Sequence, residues 1–137
     1  MNLTHLRRLV IIAVENTMET MSDQSCVFCS IAAKDTPAEF VYQDDNVVAI
    51  KDANPQAPVH ILLIPRVHDL ESLNDASKLD VSMLGHLLYT AAKVANLLDI
   101  AETGYRVVIN TGDVAGQSVA HLHVHVLGGR KLAWPPG

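Results

Sequence analysis

The chain has 137 residues, a length that suits one domain with a sizeable core. Hydrophobic residues make up 49% of it and charged residues 18%, which excludes a disordered class. The net charge is −5 and the ten Lys and Arg form no basic run, so a nucleic-acid polymer is not expected as partner. Two cysteines without a complete secretory signal indicate a reducing compartment, the cytoplasm.

The first 24 residues are predicted to form an extension, helical or disordered, before a domain at residues 25–137. Arg7 and Arg8 precede an apolar run at residues 9–14, which is similar to the start of a secretory signal. That run is shorter than the roughly 7–15 residues a signal needs, Glu15 follows it, and no small-residue cleavage site comes after. The segment therefore predicts neither secretion nor a membrane span.

Two β-rich runs lie at residues 40–42 and 47–50. The turn residues 44–46 between them, Asp-Asp-Asn, predict a hairpin. Residues 59–64 predict a third strand, which Pro65 ends because proline has no N–H to donate.

A long helix is predicted where apolar residues recur at helical spacing over residues 84–98. Gly104 lies just beyond its end, and the candidate N-terminal caps are Asn74, Asp75 and Ser77. Residues 105–109 and 120–127 predict two further strands. Strands clustered around one long helix with short links indicate an α+β fold with an antiparallel sheet.

Three histidines alternate with apolar residues in the predicted last strand: His121, His123 and His125. Because alternate side chains of a strand share a face, all three rings are predicted to point one way. Leu122, Val124 and Val126 would then point into the core. Histidine is a poor core residue and a buried ring needs polar partners, so the alternation indicates chemistry rather than packing.

Two interpretations of the alternating histidines remain open from the residues alone. They could bind a metal, as in a zinc hydrolase, or one could be a nucleophile that its neighbours orient. The loop at residues 112–118 favours the nucleophile, because its glycines let the backbone approach an anion closely. Asn110 and Ser118 add polar donors that could hold a phosphate beside the histidines.

The stretch from Gly116 to Arg130, Gly-Gln-Ser-Val-Ala-His-Leu-His-Val-His-Val-Leu-Gly-Gly-Arg, resembles the histidine-triad signature. The ending Trp134-Pro135-Pro136-Gly137 resembles the Hint branch of that family. Further matches to this branch are Asp44-Asp45, Asp52, residues 54–60 and residues 64–66. The resemblance runs from about Cys26 to Gly137 and implies an antiparallel sheet of about five strands, one long helix and a short N-terminal helix.

The resemblance implies a hydrolase that cuts the phosphorus–nitrogen bond of purine nucleoside 5′-phosphoramidates through a nucleotidyl-histidine, without a required cofactor. It places the nucleophile at His123 and puts His125 on the phosphate or the leaving group, with support from His60, His121 and Ser118. The implied phosphate contacts are Asn110, Gly116, Gln117, Ser118, His123 and His125. Asp52 is implied to bind the ribose hydroxyls, and Phe28, Ile31 and Asn54 to lie near the base and ribose.

Cys26 and Cys29 form a C-x-x-C pair, which is weak evidence of a metal when it stands alone. Relatives in the resembled family carry a structural zinc on such a pair, and by position the other ligands are His68 and His121. Cys2His2 is a closed tetrahedral zinc set. The alternatives are two unliganded thiols or, less favoured, a redox pair. Zinc removal is expected to lower stability more than it alters a folded active site.

The predicted helix has more apolar residues than one stripe against a core requires. They are Ala91, Ala92, Val94, Ala95, Leu97 and Leu98. A second buried face suggests a two-fold homodimer. The resemblance implies the same, and it implies that the tail at residues 134–137 reaches the partner's active site and influences substrate choice.

Two other functions remain as alternatives. One is a zinc-dependent hydrolase that uses the triad as ligands, and the other is a non-catalytic module that binds purine mononucleotides or acts as a scaffold. No membrane partner is expected. His5 and His86 are given no function, and His86 is predicted to be a solvated or capped residue of the long helix.

Overall fold

A computed structural model describes residues 26–78 and 80–137, so the predicted extension at residues 1–24 lies outside the described residues. The elements in chain order are α1 (Val27–Ala32), β1 (Phe40–Gln43), β2 (Val47–Lys51), β3 (Val59–Pro65), α2 (Val81–Leu97), β4 (Tyr105–Val108) and β5 (Val124–Gly128). Short 3-10 turns cover Leu73–Lys78 and Asp113–Ala115. Among the described residues, no helix is long and apolar enough to cross a bilayer.

The five strands form one antiparallel sheet in the order β1-β2-β3-β5-β4. The predicted hairpin is present as β1 and β2, and Asp44 closes its turn by accepting the N–H groups of Asn46 and Val47, each at 2.8 Å. β3 is central, and its Leu62 lies opposite Ile50 of β2 and His125 of β5. The predicted α+β class, with one long and one short helix, is confirmed.

One face of the sheet packs against α2. Ile61 and Leu63 of β3 face that helix, together with Val124 and Val126 of β5. The buried residues of α2 in this cluster are Leu87, Ala91, Val94 and Ala95. Full burial of a Val, Leu or Ile side chain contributes about 1.5–3 kcal/mol, and this cluster contains more of them than the cluster on the other face.

The other face of the sheet carries α1 and the histidines. Leu62 and Ile64 point to this side and pack with Phe28 and Ile31 of α1. Since strand side chains alternate, His60 of β3 shares the side of Leu62, and His125, between two residues of the α2 face, also points to α1. The functional residues are thus held between the sheet and a short helix.

The long helix begins at Val81, earlier than its apolar pattern indicated, and its N-terminal cap is Asp80. The Asp80 carboxylate accepts the N–H of Ser82 at 3.1 Å. None of the predicted caps serves this helix, because Asn74, Asp75 and Ser77 lie in a separate 3-10 turn. There Asp75 accepts the N–H of Glu71 at 2.9 Å.

The last strand is shorter than predicted, since β5 begins at Val124 rather than at residue 120. Its partner β3 ends at Pro65, which has no N–H to donate to a neighbouring strand. The Pro65 carbonyl accepts a hydrogen bond from His121 Nε2 at 2.8 Å. The N–H of Leu122 turns instead to the Leu70 carbonyl at 2.7 Å. Two of the three triad histidines, His121 and His123, therefore lie in the segment before the strand.

Candidate active site

The His123 ring is 5% exposed, and its Nδ1 lies 2.7 Å from the backbone carbonyl of His121. A carbonyl oxygen only accepts hydrogen bonds, so in the neutral ring Nδ1 carries the hydrogen and Nε2 keeps its lone pair. This is the tautomer in which Nε2 can act as a nucleophile.

His60 and His125 form a hydrogen-bonded pair that one backbone amide controls. The N–H of Gln56 donates to His60 Nδ1 at 3.0 Å, so the hydrogen of a neutral His60 is on Nε2. His60 Nε2 faces His125 Nδ1 at 2.8 Å and donates to it. His125 must then carry its own hydrogen on Nε2, where it can be offered to a ligand.

Both rings of this pair are neutral near pH 7. Burial lowers the pKa of His60, and the Asp52 carboxylate opposes that shift. The pKa of His125 is lowered to about 4, first by burial and then by positive charge on His123 and His60, with Asp52 again opposing. His125 is thus a hydrogen-bond donor through Nε2 without carrying a net charge.

Asp52 is fixed beside this pair just after β2. Its Oδ2 lies 3.3 Å from His60 Nε2, and its Oδ1 accepts the N–H of Asn54 at 2.8 Å. The backbone N–H of Asp52 also donates to the His60 carbonyl at 2.9 Å. The structure therefore brings the predicted ribose-binding residues Asp52 and Asn54 together next to the histidines.

Phe28 forms an apolar wall against the triad. Its ring centroid lies 5.0 Å from that of His123 and 5.9 Å from that of His121, both in edge-to-face geometry. Phe28 and Ile31 are 6% and 8% exposed, and both pack in the apolar cluster on the α1 face. These two predicted base contacts are thus buried parts of the site's apolar side.

Asn110 and Ser118 lie at the two ends of the loop that joins β4 to the histidine segment. Asn110 follows Val108 by two residues, and Val108 is paired with His125 across the sheet. Ser118 is exposed, and its hydroxyl bonds to none of the residues that the structure describes. Both residues therefore flank the triad in the chain, and Ser118 keeps its hydroxyl available.

The middle of this loop is held by its own hydrogen bonds. The N–H of Gly116 donates to Asp113 at 3.0 Å, and that of Gln117 to Gly112 at 3.2 Å. The Gln117 side chain accepts from Gly112 and donates to two further backbone carbonyls. The N–H groups predicted to face a phosphate at Gly116 and Gln117 thus already have acceptors within the loop, whereas the Ser118 hydroxyl has no hydrogen-bond partner among the described residues.

The four residues predicted to bind zinc converge, with ligand atoms of Cys26, Cys29, His68 and His121 all within 4.8 Å of one another. Cys29 Sγ lies 3.0 Å from His68 Nδ1, and Cys26 Sγ lies 3.4 Å from His121 Nδ1. His121 donates its Nε2–H to the Pro65 carbonyl, which leaves Nδ1 as a lone pair facing the thiols. Burial lowers the pKa of His121, so this lone pair is retained. Metal-binding histidines typically have such an outer partner.

The three triad histidines do not point their nitrogens at a common centre. His121 Nδ1 faces the cysteines, His123 Nδ1 bonds to a carbonyl, and His125 Nδ1 bonds to His60. Neither metal-compatible group of the described residues contains all three. The second group joins Asp52 to His60 and His125, whose ring nitrogens are hydrogen-bonded to each other at 2.8 Å.

Two contacts were missed from the sequence. His86 is not merely a solvated helix residue, because its Nε2 lies 2.7 Å from Asp44 Oδ2 and ties α2 to the hairpin turn. The second is the Gln56 amide that sets the His60 tautomer. Neither has a sequence signal: the first joins residues 42 positions apart, and the second uses only a backbone group.

Comparison with known proteins places the chain in a family. The sequence pattern described as the HIT domain matches residues 33–132, and the chain belongs to this family. The adenylylsulfatase HINT1 of Arabidopsis thaliana is 50% identical over 119 residues, which cover 86% of this chain and 80% of that protein. A 14 kDa zinc-binding protein of Zea mays is 48% identical over 124 residues, covering 90% and 96%.

Solved structures show the same relationship. A HIT family hydrolase from Legionella pneumophila Philadelphia 1 superposes with a TM-score of 0.79 at 44% identity, covering 82% of this chain and 99% of that one. A zinc-bound histidine triad family protein from Mycobacterium smegmatis gives a TM-score of 0.70 at 31% identity, with 82% of each chain covered. The solved relatives thus include a protein named as a HIT family hydrolase and a zinc-bound histidine triad protein.

Proposed function

We propose that the chain hydrolyses the phosphorus–nitrogen bond of purine nucleoside 5′-phosphoramidates through a nucleotidyl-histidine at His123. The observation that carries the proposal is the 2.7 Å bond from His123 Nδ1–H to a backbone carbonyl, which leaves Nε2 available. A neutral imidazole is a good nucleophile near pH 7.

Attack of His123 Nε2 on phosphorus forms a nitrogen–phosphorus bond as the bond to the leaving amine breaks. Water then attacks the same phosphorus, releases the nucleoside monophosphate and regenerates the free ring. Splitting one displacement into two is the general advantage of a covalent intermediate. The net reaction consumes one water and gives an amine and a monophosphate.

The departing amine needs one proton, for which His125 Nε2–H is the donor, directly or through the Ser118 hydroxyl. A bound phosphate places negative charge beside His125 and favours its protonation. Asp52 Oδ2 lies 3.3 Å from His60 Nε2, and its negative charge raises the pKa of both His60 and His125, which favours a proton on this pair. His60 and Asp52 thus support the acid rather than touch the leaving group.

Nucleotide binding is assigned to both sides of this centre. Asp52 and Asn54 bind the ribose, and Phe28 and Ile31 form the apolar surface near the base. Ser118, with Asn110, donates to the phosphate, while Gly116 and Gln117 shape the loop that carries Ser118. Mononucleotide binding without turnover is the competing function, and it predicts AMP binding with no product.

A second candidate reaction is hydrolysis of adenylyl sulfate, because a relative at 50% identity is named an adenylylsulfatase. Attack by His123 on the phosphorus of that anhydride would release sulfate. Sulfate leaves as a stable anion and needs no proton, so the two reactions place different demands on His125.

We also propose a structural zinc on Cys26, Cys29, His68 and His121, supported by the convergence of these four ligands and by the zinc-binding relatives. Metal analysis of protein purified without chelator should give about one zinc per chain. A metal-free, fully stable protein with two titratable thiols would exclude it. The protein is further proposed to act in the cytoplasm as a homodimer.

The nucleophile is tested by the variant His123→Ala, assayed with an adenosine phosphoramidate. The rate should fall by several orders of magnitude while the fold and AMP binding persist, and a nucleotidyl adduct should form on wild type alone. A rate within tenfold of wild type, about 1.4 kcal/mol of barrier, would sink the assignment.

A further inference from the structure

The cysteine–histidine cluster, defined as Cys26, Cys29, His68 and His121, shares a residue with the active site. The His121 ring faces the thiols through Nδ1, while its backbone carbonyl accepts the Nδ1–H of His123 at 2.7 Å. The cluster residues that fix the His121 ring therefore also fix the His121 carbonyl. That carbonyl determines which nitrogen of His123 carries the hydrogen.

Phe28 makes a second connection between the cluster and the nucleophile. It lies between Cys26 and Cys29 in the chain, so fixing both thiols fixes its backbone on each side. Its ring contacts His121 and His123 edge-to-face, with centroids 5.9 Å and 5.0 Å away. The cluster thus reaches His123 through a hydrogen bond and, separately, through a packed aromatic ring.

The two connections constrain different properties of the His123 ring. The carbonyl fixes the tautomer, and the Phe28 ring limits rotation of a side chain that is only 5% exposed. A ring freed from both could place its hydrogen on Nε2 and lose the lone pair that attacks phosphorus. Small misplacements of this kind can cost about 100-fold in rate.

Building on the nucleophile and zinc assigned above, we propose that the cluster is a positioning element for His123. When it is loaded, it holds the His121 carbonyl and the Phe28 ring against the nucleophile. Phe28 is then a positioning residue as well as part of the apolar wall. This positioning role is proposed in addition to the expected effect of zinc on stability.

The test uses the full chain in three forms: zinc-loaded wild type, chelator-stripped wild type and zinc-loaded Phe28→Leu. Nitrogen NMR reports the His123 tautomer without any substrate, and kcat and KM are measured with an adenosine phosphoramidate. We expect the Nδ1-protonated tautomer to dominate only in loaded wild type. In the other forms kcat should fall about 10–100-fold with a smaller change in KM. Ile50→Val, buried in the same apolar cluster, should resemble wild type.

An unchanged His123 tautomer and an unchanged kcat in a folded, stripped protein would overturn the proposal. If stripping unfolds the chain, the Phe28→Leu protein decides between the outcomes, since it keeps all four ligands. Failure to take up zinc would also overturn it. A tautomer shift without phosphoramidate turnover in wild type would instead reject the proposed reaction and leave the positioning role intact.

Discussion

His60 and His125 lie diagonally across neighbouring strands and are joined by a 2.8 Å hydrogen bond from Nε2 to Nδ1. Because the Gln56 amide fixes the His60 tautomer, His125 offers its hydrogen at Nε2. A donor at that position matters most when the leaving group must gain a proton. The effect of losing His125 should therefore depend on the leaving group, whereas the effect of losing His123 should not.

The variant His125→Gln should lose far more activity on an amide than on adenylyl sulfate. We expect a loss of about 100-fold or more for an adenosine phosphoramidate, since general acids contribute about 10²–10⁴-fold. Adenylyl sulfate should lose about tenfold or less, because sulfate leaves without a proton. Steady-state rates on the two substrates measure the difference.

His86→Gln is the matched control for this experiment, since His86 is a histidine of α2 bonded to Asp44 rather than to the triad. It should leave both rates near those of wild type. Equal losses on both substrates in His125→Gln would show that His125 binds the phosphate without assisting the leaving group.

Acid should weaken the fold through His125. Its pKa is about 4 in the folded chain against 6.5 ordinarily, so above pH 6.5 it has no effect. Between about pH 6.5 and 4 the unfolded chain binds a proton that the folded chain does not, and the free energy of unfolding falls. The loss is about 2 kcal/mol after allowance for partial exposure. Urea unfolding between pH 7 and 4.5 should show a flatter profile in His125→Gln.

Asp44 supplies a control in a different pH range. Burial acts to raise its pKa, but hydrogen bonds from Asn46, Val47, His86 and Tyr42 lower it to about 2. Its stabilising effect is present above pH 3.8 and is lost as pH falls towards 2. Asp44→Asn should change only this lower range. A pH profile between 6.5 and 4.5 that is the same in His125→Gln and wild type would contradict the assignment.

The spacing of apolar residues predicted most of the sheet because it reflects which side chains face the core. The hairpin, the central strand and the α2 stripe all follow from alternation or helical spacing. The same alternation places Val124 and Val126 on one face and His125 on the other. The error at residues 120–123 arose because Leu70 and Pro65 decide where the ladder ends, and neither is near in the chain.

The residues of the candidate site could also be picked out from the sequence, whereas the tautomers of its histidines could not. Three alternating histidines and the C-x-x-C pair are visible in the chain itself. The tautomers depend on the carbonyl of His121 and the amide of Gln56, which every sequence provides at every position. The cap of α2 was predicted wrongly because several polar residues precede the helix, and the one whose carboxylate accepts a helix N–H is Asp80.

Helix α2 should form a dimer contact through apolar residues that the core does not use. Of the residues first assigned to a second apolar face, Ala91, Val94 and Ala95 belong to the core, whereas Leu97 is exposed. Val81, Leu88 and Tyr89 are also exposed on α2, and Tyr89 is 70% exposed. We expect a two-fold interface above about 1,200 Å² of total buried area. Tyr89→Glu would bury an unpaired charge there and should give a monomer by sedimentation at micromolar concentration. Val114→Glu, at a fully exposed apolar residue of a loop, should leave the dimer intact. A monomeric wild type would refute the interface.

The C-terminal tail should control the choice of leaving group. Arg106 donates to the Ala133 carbonyl at 2.8 Å and anchors the tail where it leaves the domain. Beyond that anchor Trp134 is 82% exposed, an unusual position for a large aromatic ring that has no second surface to contact. Deletion of residues 134–137 should therefore change the ratio of kcat/KM between two phosphoramidates with different amines. It should alter the free energy of unfolding by less than about 0.5 kcal/mol, since so exposed a ring contributes little to its own core. A Trp134→Ala variant separates the ring from the chain end and should reproduce most of the shift in preference. An unchanged ratio in both variants would refute a role for the tail in substrate choice.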